Sequence, residues 1–327
     1  MHTLQEKLSP NVLVDPYDQS AKPVILICPA TRCERLIRYR ESVFMHVDLE
    51  DSVPVPQKQE AAHKAAQLLK SQSRDTIIVR LNSTRADGSN FFQDIEVLTD
   101  SVRSRVGLTL FAIPKVESGE SIEEMEDHLS AIREDIQLII AIETAKGVEA
   151  VDSILAKSRL KAALIVGWED LTMDLKMRKP SNIFDNRLLA NIATTMLLKA
   201  KANGIKFLDG VNDSFEGLEV REQALSMKEI GASGKVAIHP KQIPVIRDAF
   251  IPTDEEIREA MLYLEDLPPE FLLDGGVQRG EKGFMKEGVI AQRYARILTE
   301  ALLFRHRLSQ AITESLKKFK GIDKEII

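Results

Sequence analysis

Cysteine is scarce in this chain of 327 residues, which holds two, Cys28 and Cys33. Two thiols build no disulfide framework, and no Cys-x-x-Cys pair is available to hold zinc. An excess of positive charge is missing as well. Lysine and arginine number 44 against 50 acidic side chains, for a net charge of −6. That balance argues against a general nucleic-acid or membrane-surface binder. Long apolar runs are absent; the longest, such as residues 138–142, fall far short of the roughly 20 residues that span a bilayer. The first residues, Met1 to Lys7, lack a basic start followed by an apolar stretch, so no secretory signal and a cytoplasmic location are expected. There is no internal repeat and no low-complexity tract.

What remains is an ordinary globular composition, 44% hydrophobic and 29% charged. Short apolar or β-branched runs recur at 24–28, 43–49, 76–81, 108–113, 137–142, 162–166, 206–211 and 235–238. Most are unbroken rather than alternating, as parallel strands buried on both faces require. Segments of helical periodicity lie between them, at 57–70, 121–132, 148–157, 187–203 and 215–230. Ser121 with Glu124 forms a capping-box pattern. Eight such alternations predict an α/β fold, a (β/α)8 TIM barrel. An open doubly wound sheet is the alternative, but no Gly-x-Gly-x-x-Gly follows the first strand. The barrel is placed at 1–252 and a C-terminal helical extension at 253–327, with helices at 252–267 and 289–320. Between those helices the glycine- and proline-rich stretch 268–288 reads as a lid or a linker.

In such a barrel the C-terminal ends of the strands carry the chemistry. Charge concentrates there. The second run ends in Asp48-Leu49-Glu50-Asp51, the third in Arg80-Leu81-Asn82, the fourth in Pro114-Lys115-Val116-Glu117 and the fifth in Glu143. Glu169 and Asp170 follow the sixth, Asp209 and Asp213 the seventh, and His239 the eighth. Glu143 and Asp170, from adjacent strands, can approach a shared point. Hard oxygen donors without a nearby thiol favour magnesium, which takes one or two protein carboxylates and completes its shell with water and substrate. Arg80 can grip a substrate carboxylate. That set suits chemistry beside a carbonyl, including carbon–carbon cleavage. Each residue also has a structural reading. Asp170 fits a helix cap, Arg80 an ion pair, and Lys115 and Glu117 pairs with neighbours. His239 reads as a loop-holding residue and Cys28 as a core thiol.

Several motifs occur in order. Cys28-Pro-Ala-Thr-Arg32-Cys-Glu-Arg35, Asp48-Leu-Glu-Asp51-Ser-Val53 with Lys58, Arg80-Leu-Asn82, Pro114-Lys115-Val-Glu-Ser118 and Ile142-Glu143-Thr144 come first. Gly167-Trp-Glu-Asp170, Asp209-Gly-Val211, Gly234-Lys235 and Ile238-His-Pro240 follow. This series resembles the HpcH/HpaI aldolase and citrate lyase β-subunit family. The resemblance implies a (β/α)8 barrel that assembles as a homo-oligomer, a trimer or hexamer. It implies magnesium held by Glu143 and Asp170, and Arg80 on the carboxylate end of the substrate. Asp48, Glu50, Asp51 and Lys115 complete the implied catalytic set. The implied reaction joins or cleaves an acetyl thioester and a 2-oxo acid, with malyl-, citramalyl- or citryl-type thioesters of coenzyme A as small-molecule substrates. Arg32 and Arg35 would then meet the substrate or its carrier. One motif departs from the family. Its methionine-isoleucine-aspartate-x-proline element corresponds to Phe284-Met285-Lys286-Glu287-Gly288, with Lys286 in the aspartate's place. Glu287 takes that acid–base role if the register shifts by one. The departure leaves two further readings: an aldolase acting on a free hydroxy-oxo acid, and a catalytically weak subunit of a larger complex.

Overall fold

A computed structural model describes residues 22–71, 77–84, 89–214, 217–265, 267, 276–279 and 285–303. They fall into two compact units that divide between Arg247 and Asp248.

The first unit is built on eight strands: β1 Val24–Pro29, β2 Phe44–Asp48, β3 Ile77–Arg80, β4 Thr109–Ile113, β5 Ile136–Ile142, β6 Lys161–Val166, β7 Lys206–Asp209 and β8 Gly234–Ala237. All pair in parallel in chain order, and β1 also pairs with β8, which closes the barrel. The expected (β/α)8 fold is the observed one, and closure removes the open-sheet alternative. The unbroken apolar runs have their cause here. Both faces of each strand are covered, by helices outside and by neighbouring side chains inside. All of β2 and β4 is buried.

A 3-10 helix, Ala30–Arg35, follows β1. Then come α1 Lys58–Ser71, α2 Ser89–Arg103, α3 Gly119–Ser130, α4 Ala145–Lys157, α5 Trp168–Asp174, α6 Arg187–Ala202, α7 Gly217–Ile230 and α8 Gln242–Phe250. The helix expected at 215–230 is α7, and residues 215 and 216 lie outside the described residues. Helix α3 begins earlier than the Ser121/Glu124 pattern suggests. Its cap is Ser118, whose hydroxyl accepts from the Ser121 amide at 3.1 Å. The correction is physical: extended backbone at Ser118 leaves its oxygen free to face the first turn. Thr144 caps α4 likewise, accepting from the Gly147 amide at 3.1 Å. That cap fixes the chain direction one residue after Glu143.

A buried carboxylate holds the outer layer together away from the barrel mouth. Glu126 on α3 is fully buried. It accepts from the Ser158 hydroxyl and from the amides of Arg159 at 2.7 Å and Leu160 at 3.2 Å. It thereby satisfies the turn that leads from α4 into β6.

The second unit pairs α9, Asp254–Leu264, with α10, Gly288–Leu303. Ile257, Ala260, Leu264, Ala291, Tyr294, Ala295, Leu298 and Ala301 form its core. A full capping box between Thr253 and Glu256 starts α9. Of the glycine-rich stretch 268–288, the described part is more than a connection. Strands β9 Val277–Arg279 and β10 Met285–Glu287 pair antiparallel as a ribbon. The remainder of that stretch, and residues 304–320 of the expected last helix, lie outside the described residues. Among the described residues no helix is long and apolar enough to cross a membrane.

Replacing Glu126 by Ala removes the acceptor of two amides and a hydroxyl. A loss of about 2–4 kcal/mol is expected in urea unfolding followed by circular dichroism. A loss below about 0.5 kcal/mol rules out a structural role for this carboxylate.

Candidate active site

Strand register assembles the mouth of the barrel. Asp48 and Arg80 are the last residues of β2 and β3 and are Cα partners. Paired residues of parallel neighbours point to the same side, so the two side chains meet. Arg80 Nε donates to Asp48 Oδ1 at 2.6 Å and Nη2 to Oδ2 at 2.9 Å, a bidentate pair. The Asp48 carboxylate also accepts from the Glu50 amide at 2.9 Å, the Ser52 amide at 3.0 Å and the Ser52 hydroxyl. Burial opposes its charge, but Arg80 outweighs that and holds the carboxyl well below the usual carboxylate range.

The third guanidinium nitrogen faces the centre. Arg80 Nη1 stands 3.3 Å from Glu50 Oε2 and 4.0 Å from Glu143 Oε1. Lys115 closes the opposite side. Its ammonium lies 2.8 Å from Glu50, 2.8 Å from Asp51 and 3.5 Å from Asp170. Its amide donates to Glu143 Oε2 at 3.0 Å. Lys115 holds φ at 53°, a left-handed conformation that costs a lysine on the order of 1 kcal/mol. The strain lets one residue serve Glu143 through its backbone and three other carboxylates through its side chain. Lys58 pins the loop after β2, donating to the carbonyls of Leu49 at 2.7 Å and Glu50 at 2.5 Å.

Glu143 has little freedom. A Cβ added at Gly167 would sit 2.5 Å from its Oε1, so the carboxylate lies against bare backbone. Five carboxylates thus face two cations. Burial pushes Glu50 up to about 8, opposed by Arg80 and reinforced by the Glu143 charge. Burial likewise pushes Glu143 up to about 7, with Asp170 adding to the shift. Glu50 Oε2 is buried, and its contact with Arg80 Nη1 is an ion pair without hydrogen-bond geometry. Carboxylates in excess of cations, with two of them pushed toward the neutral form, fit a bound cation. Among the described residues no three His, Cys, Asp or Glu side chains form a metal-holding group. Two carboxylates and an otherwise open shell match the habit of magnesium.

Comparison with known proteins follows this geometry. Residues 41–240 match the model of the family described as HpcH/HpaI aldolase/citrate lyase. The chain belongs to the HpcH/HpaI aldolase/citrate lyase family. A citrate lyase subunit beta-like protein of Mycobacterium tuberculosis is 28% identical over 302 residues, covering 90% of this chain and 99% of that one. A (3S)-malyl-CoA thioesterase of Cereibacter sphaeroides is 29% identical over 219 residues, covering 65% of this chain and 70% of that one. The crystal structure of CitE from M. tuberculosis in complex with magnesium, acetoacetate and coenzyme A superposes with a TM-score of 0.68 at 26% identity. It covers 86% of this chain and 99% of that one. This is a family of lyases, and the chain is an enzyme of that class.

Within this family member, six sequence-predicted residues converge: Asp48, Glu50, Asp51, Arg80, Lys115 and Glu143, with Asp170 at the edge through Lys115. Asp170 does not cap its helix. It sits in the first turn of α5, after Gly167 at the cap position. Glu117 pairs with Lys146 at 3.7 Å. His239 accepts from the Lys241 amide at 3.1 Å, as a loop-holding residue should. Cys28 is a buried thiol that burial pushes far up. Arg32 and Arg35 stand exposed on the 3-10 helix after β1. Glu287 belongs to the second unit. Its side chain is exposed, and its amide donates to the Tyr263 hydroxyl at 2.9 Å. Lys286 beside it is buried, its ammonium 5.5 Å from the Tyr263 ring centroid.

Asp94 went unnoticed in the sequence. It lies on the buried stripe of α2 with Phe91 and Leu98, and a carboxylate on an apolar stripe is the signal that marks it. Both its bonds hold Asn82, two residues after Arg80: from the amide and from the side chain, each at 2.8 Å. Burial raises its carboxyl from 3.8 to about 6, with the Asn82 bonds opposing. The folded chain therefore keeps a proton that the unfolded chain has released. Stability from this group is present at low pH and lost as pH rises through about 6. Between pH 4.5 and 7.5, Asp94→Asn should gain about 2 kcal/mol on the native protein in urea unfolding. Parallel pH profiles for the two proteins would discard the assignment.

Proposed function

We propose that the chain is a magnesium-dependent carbon–carbon lyase. It would cleave a 3-hydroxy-acyl thioester of the malyl, citramalyl or citryl type into a 2-oxo acid and an acetyl thioester. The observation that carries this reading is that Lys115 faces both carboxylates, Glu143 with its amide at 3.0 Å and Asp170 with its ammonium at 3.5 Å, with Arg80 Nη1 4.0 Å from Glu143. Magnesium in a related structure, together with acetoacetate and coenzyme A, supports it.

Glu143 and Asp170 would hold the metal. When bound there, magnesium supplies a divalent charge that polarises a substrate carbonyl. The chain's own residues do the rest. Arg80 meets the carboxylate of the 2-oxo-acid half through Nη1, because Asp48 occupies the other two donors. Asp48 is thus a positioning residue that fixes the plane of the guanidinium. Lys115 neutralises Glu50 and Asp51 and keeps the rim of the site from repelling an anionic substrate. Arg32 and Arg35 supply exposed positive charge for the phosphates of a coenzyme A carrier. As the carbon–carbon bond breaks, the hydroxyl of the substrate gives up a proton and the acetyl carbon gains one. Glu287 is the proposed acid–base group for that exchange, in a homo-oligomer of three or six chains.

A second reading rests on Lys286. It stands where the family places an aspartate, and it is buried against Tyr263. An aldolase working on a free 4-hydroxy-2-oxo acid needs no thioester-specific acid there.

One assay separates these readings. Release of 2-oxo acid is followed with magnesium from malyl-, citramalyl- and citryl-CoA and from free 4-hydroxy-2-oxo acids. The expected result is release from a coenzyme A ester. Glu143→Gln should lower it about 100-fold, and Gly167→Ala, which displaces the same carboxylate, about 10-fold or more. Both variants should melt cooperatively. Release from free acids alone selects the aldolase. Undiminished activity in Glu143→Gln defeats the metal-site assignment.

A further inference from the structure

The start of α5 lacks the usual support. The helix has seven residues, and Gly167 at its cap position contributes no side-chain hydrogen bond. Yet its first turn carries Asp170. Something else must hold that turn.

Two contacts do so. Trp168, the first residue of α5, is fully buried, and its Nε1 donates to Asp209 Oδ1 at 2.7 Å. Asp209 is the last residue of β7 and is itself fully buried. Its other oxygen takes Lys235 Nζ from β8 at 2.6 Å and Gln223 Nε2 from α7 at 2.9 Å. Lys235 also donates to the Gly210 carbonyl at 2.8 Å, and Asn212 donates to Gln223 at 3.1 Å. The carboxylate is therefore held from two elements, β8 and α7, before it meets the indole. The ring packs on bare backbone: a Cβ at Gly210 would lie 3.2 Å from Trp168 Cδ1 and 2.2 Å from the Val166 carbonyl. On the outer side, Glu169 pairs with Lys179, which also binds Asp213 at 2.7 Å. Residues 168 and 169 are both anchored to β7 and the loop after it. Asp170, the next residue, is left facing Lys115.

We infer that Asp209 is a positioning residue that fixes Asp170 through the indole of Trp168, with Lys235 locking the carboxylate in place. A buried ion pair adds little net stability over apolar packing. What it adds here is direction, an acceptor fixed on the axis of a single N–H bond. The inference rests on the reading of Asp170 as a cation ligand, and the experiment keeps the two apart.

The probe is Mn2+ alone, titrated into the full chain and followed by electron paramagnetic resonance. The native protein should bind it, and Asp170→Asn should lose binding. Trp168→Phe keeps an aromatic side chain but removes the N–H together with the pyrrole part of the indole; its affinity should fall about tenfold, in the range typical of groups behind a metal ligand. Its metal-free unfolding should stay cooperative, at a lower melting temperature than native because the smaller ring leaves a cavity. Asp209→Asn should fall at least as far. Glu126→Ala, destabilised on the far side of α3, should bind Mn2+ as the native protein does. Trp168 is the only tryptophan in the chain, so its emission gives a second reading. Mg2+ should shift that emission in the native protein and in Glu126→Ala, and leave it unchanged in Asp170→Asn. Native Mn2+ affinity in Trp168→Phe, with binding lost in Asp170→Asn, overturns the positioning role and leaves the metal site standing. Native affinity in Asp170→Asn, or no binding by the native protein, overturns both.

Discussion

Everything at the barrel mouth answers to one buried guanidinium. Arg80 is the last residue of β3 and is mostly removed from water, with 13% of its side chain exposed. A charge in that position is tolerable only with partners of good geometry. The β2–β3 register delivers the first, Asp48, as a bidentate acceptor. Glu50 and Glu143 then crowd the remaining nitrogen. Their own burial favours the neutral form, and they approach because Arg80 and Lys115 offset part of that cost. The offset is incomplete, since five carboxylates face two cations. That imbalance would weaken an ordinary core, and it is what the proposed magnesium would relieve.

A second buried ion pair joins Asp209, the last residue of β7, to Lys235, the second residue of β8. The two pairs differ in what they leave open. Arg80 keeps Nη1 toward the centre of the mouth. Lys235 spends its ammonium entirely on Asp209 and the Gly210 carbonyl, and burial pulls its proton affinity down. One half of the mouth is chemically available and the other is closed by its own hydrogen bonds. Asp170 sits between them, reached by Lys115 from the first and by Trp168 from the second.

The barrel was legible in the sequence for a simple reason. Strands covered on both faces must be apolar throughout, and eight such runs stood at regular spacing. The strand-end charges were legible because soluble cores seldom hold them. What escaped was set by tertiary geometry. Helix α2 carries Asp94 on its buried stripe, and α8 has Pro244 in its first turn; both blur the periodic signal. The cap of α3 lies at Ser118 rather than Ser121 because backbone conformation, not residue type, decides which serine faces the amides. The reading of Asp170 as a cap ends once α5 is seen to begin at Trp168. The ribbon of β9 and β10 was hidden among glycines that suggested a connection.

Glu143 shows how little of the site depends on the carboxylate itself. Three independent local features converge on it, two of them backbone. Thr144 caps α4 and fixes the chain immediately after it. Lys115 adopts a strained left-handed conformation and points an amide at one oxygen. Gly167 removes the side chain that would occupy the space of the other. Backbone groups cannot rotate away as side chains do, so the carboxylate is fixed in direction before any ligand arrives. A metal site with two protein ligands has few bonds with which to correct its own geometry. Such a site works only if the polypeptide has already placed each oxygen; for the pair proposed here, the backbone does so for Glu143 while an indole and a buried ion pair stand behind Asp170.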